Sequence, residues 1–121
     1  MNGIIDVASV SVAVANQADG LAFFTAKLGF EIRRDTGIGG TFRWVTVAAP
    51  GAAVEVALQQ DPERVGQETG IRFATPDAQA EHQHLAEQGV AVEELLRCPG
   101  VPPMFKFRDP DGNTFTIIET S

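Results

Sequence analysis

The predicted secondary structure of this chain repeats once along its length. Each half contains a helix that ends near a glycine, Gly29 in the first half and Gly89 in the second, so the two helix ends lie sixty positions apart. Glycine is common just after a helix because it adopts positive φ without strain. Alternating apolar residues predict one strand before each helix and three after it. A repeat with this order of elements predicts two tandem βαβββ modules.

The predicted elements define an α+β chain in which the helices cover one face of the strands. The predicted helices are about 19–28 and 77–88, and the predicted strands are 7–15, 30–34, 41–48, 53–59, 70–75, 90–95, 103–108 and 114–120. Because a sheet that carries helices on only one face leaves its other face uncovered, we expect curved mixed sheets around a cleft.

A tight turn precedes the last predicted strand. In the segment Asp109-Pro110-Asp111-Gly112-Asn113, proline presets φ, glycine accepts positive φ, and the Asp and Asn side chains can bond to the nearby backbone. Runs rich in phenylalanine and β-branched residues flank the turn at 104–107 and 114–118, and such residues suit strands. The segment therefore predicts a β-hairpin, whose acidic residues serve the turn.

Strand parity separates a core face from a polar face, because alternate residues of a strand point to opposite sides of the sheet. The residues expected in the core are Val10, Val12, Val14, Leu21, Phe24, Leu28, Val54, Val56, Leu58, Ile71, Phe73, Phe115 and Ile117. The opposite face carries Ser9, Ser11, Ala13, Glu55, Ala57, Arg72, Thr114, Thr116 and Ile118. A face this polar is unsuited to a second packed core, so we expect it to line a ligand-binding cleft.

The orientation of Trp44 stays open at this stage. The predicted strand 41–48 alternates Trp44 and Thr46 with Arg43 and Val45, and either set can face the cleft. Trp44 is therefore either a core residue or a stacking surface for a flat ligand in the cleft.

Composition and charge exclude several classes of function. The 121 residues suffice for one ordinary domain, and their net charge of −7 comes from 16 acidic and 9 scattered basic residues. Binding to nucleic acid relies on neutralising phosphates, so nucleic acid is not an expected partner. No apolar run is long enough to cross a bilayer, and the N-terminus lacks a signal-peptide pattern. Since the single Cys98 cannot form an internal disulfide, we expect a cytoplasmic protein without a membrane partner.

These features resemble the vicinal oxygen chelate superfamily, which includes glyoxalase I, extradiol dioxygenases, fosfomycin-resistance enzymes and bleomycin-binding proteins. The resemblance rests on the double βαβββ pattern, on AFFTAKLGFEI at 22–32 and on FRDPDGNTF at 107–115, and it covers almost the whole chain. It implies a single glyoxalase-like domain over 1–121, with modules at about 4–60 and 68–121. Unpaired sheet edges and apolar module faces are prone to association, so we also expect a homodimer.

The resemblance also implies where a metal would bind. Metal-dependent members take His, Gln or Glu ligands from the first and last strands of both modules, and the corresponding positions here are Ser9, Glu55, Gly70 and Thr116. Chelation needs several anionic or imidazole donors around one ion, and only Glu55 is such a donor. We therefore expect no metal and no other cofactor. A divalent metal is the alternative if its ligands lie elsewhere.

The remaining candidate ligands are expected to be structural. Glu119 lies three residues beyond Thr116, so it points to the other face of a regular strand. His82 and His84 lie on the second predicted helix, where surface or packing roles are expected. Cys98 lies in a loop beside Pro99-Gly100 without an obvious histidine partner, so a catalytic thiol has no support.

Three functions are compatible with these residues. We favour a metal-independent protein that binds a small organic molecule, similar to the antibiotic-sequestering members, and the acidic net charge would attract a cationic compound. The second function is a glyoxalase-like lyase or isomerase that uses Glu55 as a general base, or a dioxygenase with a non-standard metal site. The third function is a structural or regulatory dimer without a ligand.

Overall fold

The structure, a computed structural model, describes residues 3–38 and 42–120. The elements are β1 Ser9–Val14, α1 Gln17–Ala26, β2 Glu31–Ile38, β3 Phe42–Ala48, β4 Glu55–Gln60, a short 3-10 helix at Pro62–Arg64, β5 Glu68–Thr75, α2 Ala78–Glu87, β6 Ala91–Val92, β7 Met104–Arg108 and β8 Thr114–Glu119. The chain divides after Glu63 into two compact units, and each unit has the order βαβββ. The predicted α+β fold class is therefore confirmed. Thr41, which begins one predicted strand, lies outside the described residues.

Unit 1 is a four-stranded mixed sheet, in the order β1-β4-β3-β2, with α1 packed on one face. Asn16 caps α1 by accepting a hydrogen bond from the Asp19 backbone N–H at 3.0 Å, and for this reason the helix begins at Gln17, earlier than predicted. Gly20 lets the helix approach the sheet closely, since a Cβ there would lie 3.1 Å from Val14 Cγ1. The buried apolar residues of this unit include Val12, Val14, Phe24, Val45, Val47, Val56 and Leu58.

Unit 2 repeats this architecture with the strand order β5-β8-β7-β6. Asp77 caps α2, because its side chain accepts a hydrogen bond from the Ala80 backbone N–H at 3.0 Å. The core is aromatic: Phe107 and Phe115 are fully buried and stack with ring centroids 5.1 Å apart. Phe73 stacks on Phe115 at 5.7 Å and completes the cluster. Within the described residues, no helix is long and apolar enough to cross a membrane.

Several burial predictions were wrong for local reasons. Val54 is exposed rather than buried, because β4 begins only at Glu55. Ala57 was expected on the uncovered face, yet it is 1% exposed, so β4 is buried on both sides at this point. Four other residues that were expected in the core are half-buried rather than fully buried, namely Val10, Leu28, Ile71 and Phe73.

The predicted strand 90–95 is much shorter in the structure. After Val92 the chain makes one more bond to β7, from the Glu93 backbone N–H to the Lys106 carbonyl at 2.8 Å. It then leaves the sheet and returns only at an isolated bridge between Leu96 and Met104.

Candidate functional site

We call the sheets of units 1 and 2 sheet 1 and sheet 2. Each sheet has a face that does not carry its helix, and we call it the far face. On sheet 1, Ser11 lies beside Ala57 in the register of β1 and β4, and Thr46 of β3 lies on the other side of Ala57. Trp44 is two residues before Thr46 and therefore shares this face, which answers the question of its orientation. The predicted site residues on the far face of sheet 1 are Ser9, Ser11, Trp44 and Glu55.

Glu55 is held in an ion pair on this face. Arg34 Nε lies 3.3 Å from Glu55 Oε1, and 19% of the glutamate side chain is exposed against 60% of the arginine. A β-bulge between Ile32 and Arg34 turns the arginine toward the far face. The carboxylate that was suggested as a general base in the second of the three functions therefore has a cationic neighbour.

A groove of about 260 Å³ lies at one end of sheet 1 and is lined by Gln17, Trp44, Leu58 and Gln60, among others. Gln17 fixes the start of α1 here, because its Nε2 donates to the carbonyls of Arg43 and Leu58, each at 2.9 Å. Trp44 is only partly buried, so part of its ring is available to a ligand. This groove therefore offers an aromatic surface beside neutral amide groups and the carboxylate of Asp61.

Arg43 also lines this groove and forms a bidentate ion pair with Asp35. Its Nε and Nη2 donate to the two carboxylate oxygens at 2.7 and 2.8 Å. The hydrogen bond from Arg43 lowers the pKa of Asp35 below its ordinary value. The guanidinium of Arg43 is thus already occupied at the edge of the groove.

The far face of sheet 2 carries the other predicted site residues. In the strand register, Arg72 lies beside Thr116, and Lys106 lies on the other side of Thr116. Thr114 lies beside Arg108 on the same face. A groove of about 330 Å³ follows this face, with Arg72, Thr116, Lys106, Met104 and Leu96 in its lining. This volume is at the lower end of the range of about 300–1,000 Å³ that is typical of ligand pockets.

Ion pairs occupy some of the charged groups on this face. Lys106 Nζ lies 2.8 Å from Glu68 Oε1, and the backbone N–H of Gly70 donates to Glu68 Oε2 at 3.0 Å. The hydrogen bond from Lys106, and after it the one from Gly70, lowers the pKa of Glu68. Arg72 is exposed, and its charge also contributes to the lowered pKa of Glu68. Its guanidinium makes no hydrogen bond or ion pair with the described part of the chain. It is therefore a cation of the groove without a direct partner there.

The four positions that correspond to metal ligands form a poor donor set. In unit 1, Ser9 lies beside Glu55, whose carboxylate is paired with Arg34. In unit 2, Gly70 has a φ of +73° and supplies no side chain, and Thr116 supplies a hydroxyl. Over residues 3–38 and 42–120, no group of three or more His, Cys, Asp or Glu is placed to hold a metal ion. These residues do not fit a divalent cation.

The other candidates have structural positions. Glu119 Oε1 accepts a hydrogen bond from the backbone N–H of Ala78 at 3.0 Å, so this carboxylate stabilises the start of α2. His82 packs edge-on against Phe105 with ring centroids 4.9 Å apart, and its Nε2 lies 2.8 Å from the Glu93 carbonyl. His84 and Cys98 are exposed.

Sequence reasoning missed several charged residues on the far faces, among them Arg34, Lys106 and Arg108. Lys106 could have been found from the sequence, because it lies between Phe105 and Phe107. Both phenylalanines are fully buried, and strand parity therefore places Lys106 on the far face. Arg34 gave no such signal, because the bulge after Ile32 breaks the alternation of β2.

Comparisons with known proteins agree with this architecture. The sequence model of the Glyoxalase/Bleomycin resistance protein/Dioxygenase superfamily matches residues 6–117. A superfamily member from Sphaerobacter thermophilus DSM 20745 is 34% identical, with a TM-score of 0.89 and coverage of 97% of this chain and 98% of that one. TnmS3, an antibiotic binding protein from Streptomyces sp. CB03234, is 30% identical, with a TM-score of 0.87 and full coverage of both chains, 100% each.

A curated relative extends the likeness to a third organism. The uncharacterized protein YetH of Bacillus subtilis (strain 168) is 29% identical over 122 residues, which cover 96% of this chain and 99% of YetH. The family match spans both βαβββ units, from β1 to within the last strand. The chain therefore belongs to the Glyoxalase/Bleomycin resistance protein/Dioxygenase superfamily.

Proposed function

We propose that this protein is a metal-independent binding protein that sequesters a small organic molecule, such as an antibiotic. The observation that carries the proposal is the groove on the far face of sheet 2, which combines Arg72 with Thr116 and the apolar Leu96 and Met104. The Arg72 guanidinium forms no ion pair or hydrogen bond over residues 3–38 and 42–120. Ligand sites are typically concave and largely apolar, with a few polar groups that fix the orientation of the ligand. This groove has that composition.

Two further findings support binding without a metal. The positions Ser9, Glu55, Gly70 and Thr116 provide only one carboxylate, and Arg34 already pairs with it. The antibiotic binding protein TnmS3 has the same fold and aligns over the full length of both chains. A binding protein needs no reactive group, so the Arg34–Glu55 ion pair is compatible with this role, whereas a general base would have to leave its partner.

Titration with metal-free bleomycin and a panel of antibiotics, followed by calorimetry and by tryptophan fluorescence, tests this function. Trp44 is the single tryptophan and the chain has no tyrosine, so the fluorescence reports on one position of unit 1. We expect at least one compound to bind with 1:1 stoichiometry per chain and to be recovered chemically unchanged. Protein treated with a chelator should bind it equally well and should contain well under one equivalent of Zn, Ni, Mn or Fe.

Conversion of the compound to a product would establish an enzyme instead. A metal that resists dialysis and is required for binding would show that the ligands were misassigned. Binding of none of the compounds, together with a stable assembly, would favour a structural or regulatory role.

We further propose that the protein is a cytoplasmic homodimer. Ile4 and Ile5 are 86% and 94% exposed, and β1 and β5 are edge strands of their sheets, so apolar surface and strand edges are available for association. The exposed thiol of Cys98 suits a reducing compartment. Sedimentation at micromolar concentration should give twice the monomer mass of 12.9 kDa, and a clean monomer would exclude the dimer.

A further inference from the structure

We propose that the groove on the far face of sheet 2 binds a small organic carboxylate with a flat apolar body. The carboxylate would lie on Arg72 and Thr116, and the body would lie against Met104 and Leu96. This inference rests on the proposed function and names the ligand class for one of the two grooves described above.

A polar row crosses the sheet at this groove. Arg72 of β5, Thr116 of β8 and Lys106 of β7 are consecutive partners in the strand register, so their side chains stand side by side on the same face. Neighbouring strands lie about 4.8 Å apart. A carboxylate above Thr116 would therefore be within reach of the Arg72 guanidinium and of the Thr116 hydroxyl at the same time.

An apolar row runs parallel to the polar one, two residues further along the strands. Ala74 lies beside Ile118, and Ile118 lies beside Met104, which is bridged to Leu96. Leu96 is 50% exposed and Met104 is partly exposed. A ligand with a charged end and a flat apolar body matches two adjacent rows of this kind, one polar and one apolar.

The charged groups of the groove decide whether it favours an anionic or a cationic ligand. The groove lining contains Arg72, Lys106 and one carboxylate, Glu68, so one positive charge is in excess. Lys106 is paired with Glu68 at 2.8 Å. Arg72 acts on Glu68 only through its charge, and its guanidinium has no direct partner among the residues that the structure describes. The net charge of −7 for the whole chain favours cations only at long range, and salt screens it beyond about 8–10 Å. At the groove itself, a guanidinium selects a carboxylate, with which it forms two parallel hydrogen bonds.

Three probes with the same body and different charges test this inference by NMR titration of the ¹⁵N-labelled protein. We expect 2-naphthoate to shift the backbone amides of Thr116 and Met104 and to bind about tenfold more tightly than neutral 2-naphthamide. The cationic 2-naphthylmethylammonium should bind more weakly than the amide.

Substitutions assign this preference to individual side chains. Arg72→Gln should lower the affinity for 2-naphthoate to that for the amide, and Arg72→Lys should keep part of the preference because it keeps the charge. Glu68→Gln should raise the affinity for 2-naphthoate severalfold, since it removes the only carboxylate of the lining. Arg97→Gln is the matched control, because Arg97 is an exposed arginine of the same unit that bonds to Gln79 at 2.6 Å and does not line the groove.

Two results would overturn the inference. If the amide or the ammonium compound shifts the same amides and binds as tightly as 2-naphthoate, the groove binds small molecules without selecting a carboxylate, and the proposed function stands. If none of the three probes shifts an amide of the far face at millimolar concentration, the groove is not the site. The proposed function is then decided by the antibiotic titrations alone.

Discussion

Asn113 Nδ2 donates a hydrogen bond to Asp109 Oδ2 at 3.0 Å, and both residues are almost completely buried. Asn113 Oδ1 accepts hydrogen bonds from the backbone N–H groups of Gly66 and Gln67, at 2.9 and 3.2 Å. Asp109 Oδ1 accepts two more, from the backbone of Asp111 and of Asn113. The turn before β8 is thus bonded to the segment that leads into β5 through the side chain of Asn113.

Asn113→Ala should therefore destabilise unit 2. The substitution leaves the Gly66 and Gln67 amides, whose bonds to Asn113 are partly buried, and the buried Asp109 carboxylate without their partner. A buried polar group without a partner costs about 1–3 kcal/mol. We expect the free energy of unfolding to fall by about 2–3 kcal/mol in urea denaturation. A loss below about 0.5 kcal/mol would show that water replaces these bonds at no cost.

The pH dependence of stability should carry a contribution from Asp109. Burial raises the pKa of this carboxyl above its ordinary value of 3.8, although hydrogen bonds from Asn113 oppose the increase. The folded state therefore holds the proton more tightly than the unfolded state does. The contribution of Asp109 to the free energy of unfolding is fully present below the pKa that this carboxyl has in the unfolded state. It declines as the pH rises through the raised pKa of the folded state.

The comparison of the wild type with Asp109→Asn isolates this contribution, because the other titrating groups occur in both proteins. The free energy of unfolding of the wild type should fall relative to that of Asp109→Asn as the pH rises from about 3 to about 7. A difference that does not vary with pH would show that the pKa of Asp109 is the same in the folded and unfolded states.

Phe115 and its neighbour Thr116 should respond very differently to substitution. Phe115 is fully buried between Phe73 and Phe107, so Phe115→Ala should cost about 3–5 kcal/mol through the cavity that it leaves. Thr116→Val, on the far face, should change the free energy of unfolding by less than about 0.5 kcal/mol. Chemical denaturation of both variants checks the assignment of faces, and the reverse pattern would show a register error of one residue.

Local sequence patterns predicted the core of this fold well and its surface less completely. The alternation around Phe115 and Val12 depends on strand period alone, so it identified buried residues without knowledge of the neighbouring strands. Ala57 is buried because of a neighbouring strand, and Arg34 lies on the far face because of a bulge. The strand period of the sequence contains no information about neighbouring strands or bulges. The ion pair of Glu55 was unpredictable for the same reason, since its partner lies 21 residues away in sequence.

Thr46 carries a buried hydroxyl that has no hydrogen-bond partner in the described part of the chain. The side chain is 0% exposed and lies beside Ala57 on the far face of sheet 1. Valine has nearly the same shape without the polar atom, so Thr46→Val should raise the free energy of unfolding by about 1 kcal/mol. Thermal and urea denaturation measure this change. A loss of stability would show that a buried water or another group satisfies the hydroxyl in solution.

Glu55→Gln separates a role in binding from a role in stability. The ion pair with the largely exposed Arg34 should contribute at most about 1 kcal/mol to the free energy of unfolding, as is usual near a protein surface. If the far face of sheet 1 contacts the ligand, calorimetry with a compound found in the antibiotic titrations should show a loss of about 1–3 kcal/mol in binding free energy.

Two controls accompany Glu55→Gln. Glu31→Gln removes a carboxylate from another ion pair of the same sheet, with Arg33 at 2.9 Å, and His84→Ala changes an exposed residue of α2. Both should alter affinity by no more than a few tenths of a kcal/mol. Equal losses for Glu55→Gln and Glu31→Gln would mean that the ligand responds to the net charge of the unit. In that case Glu55 would make no contact with it, and the ligand would lie away from the far face of sheet 1.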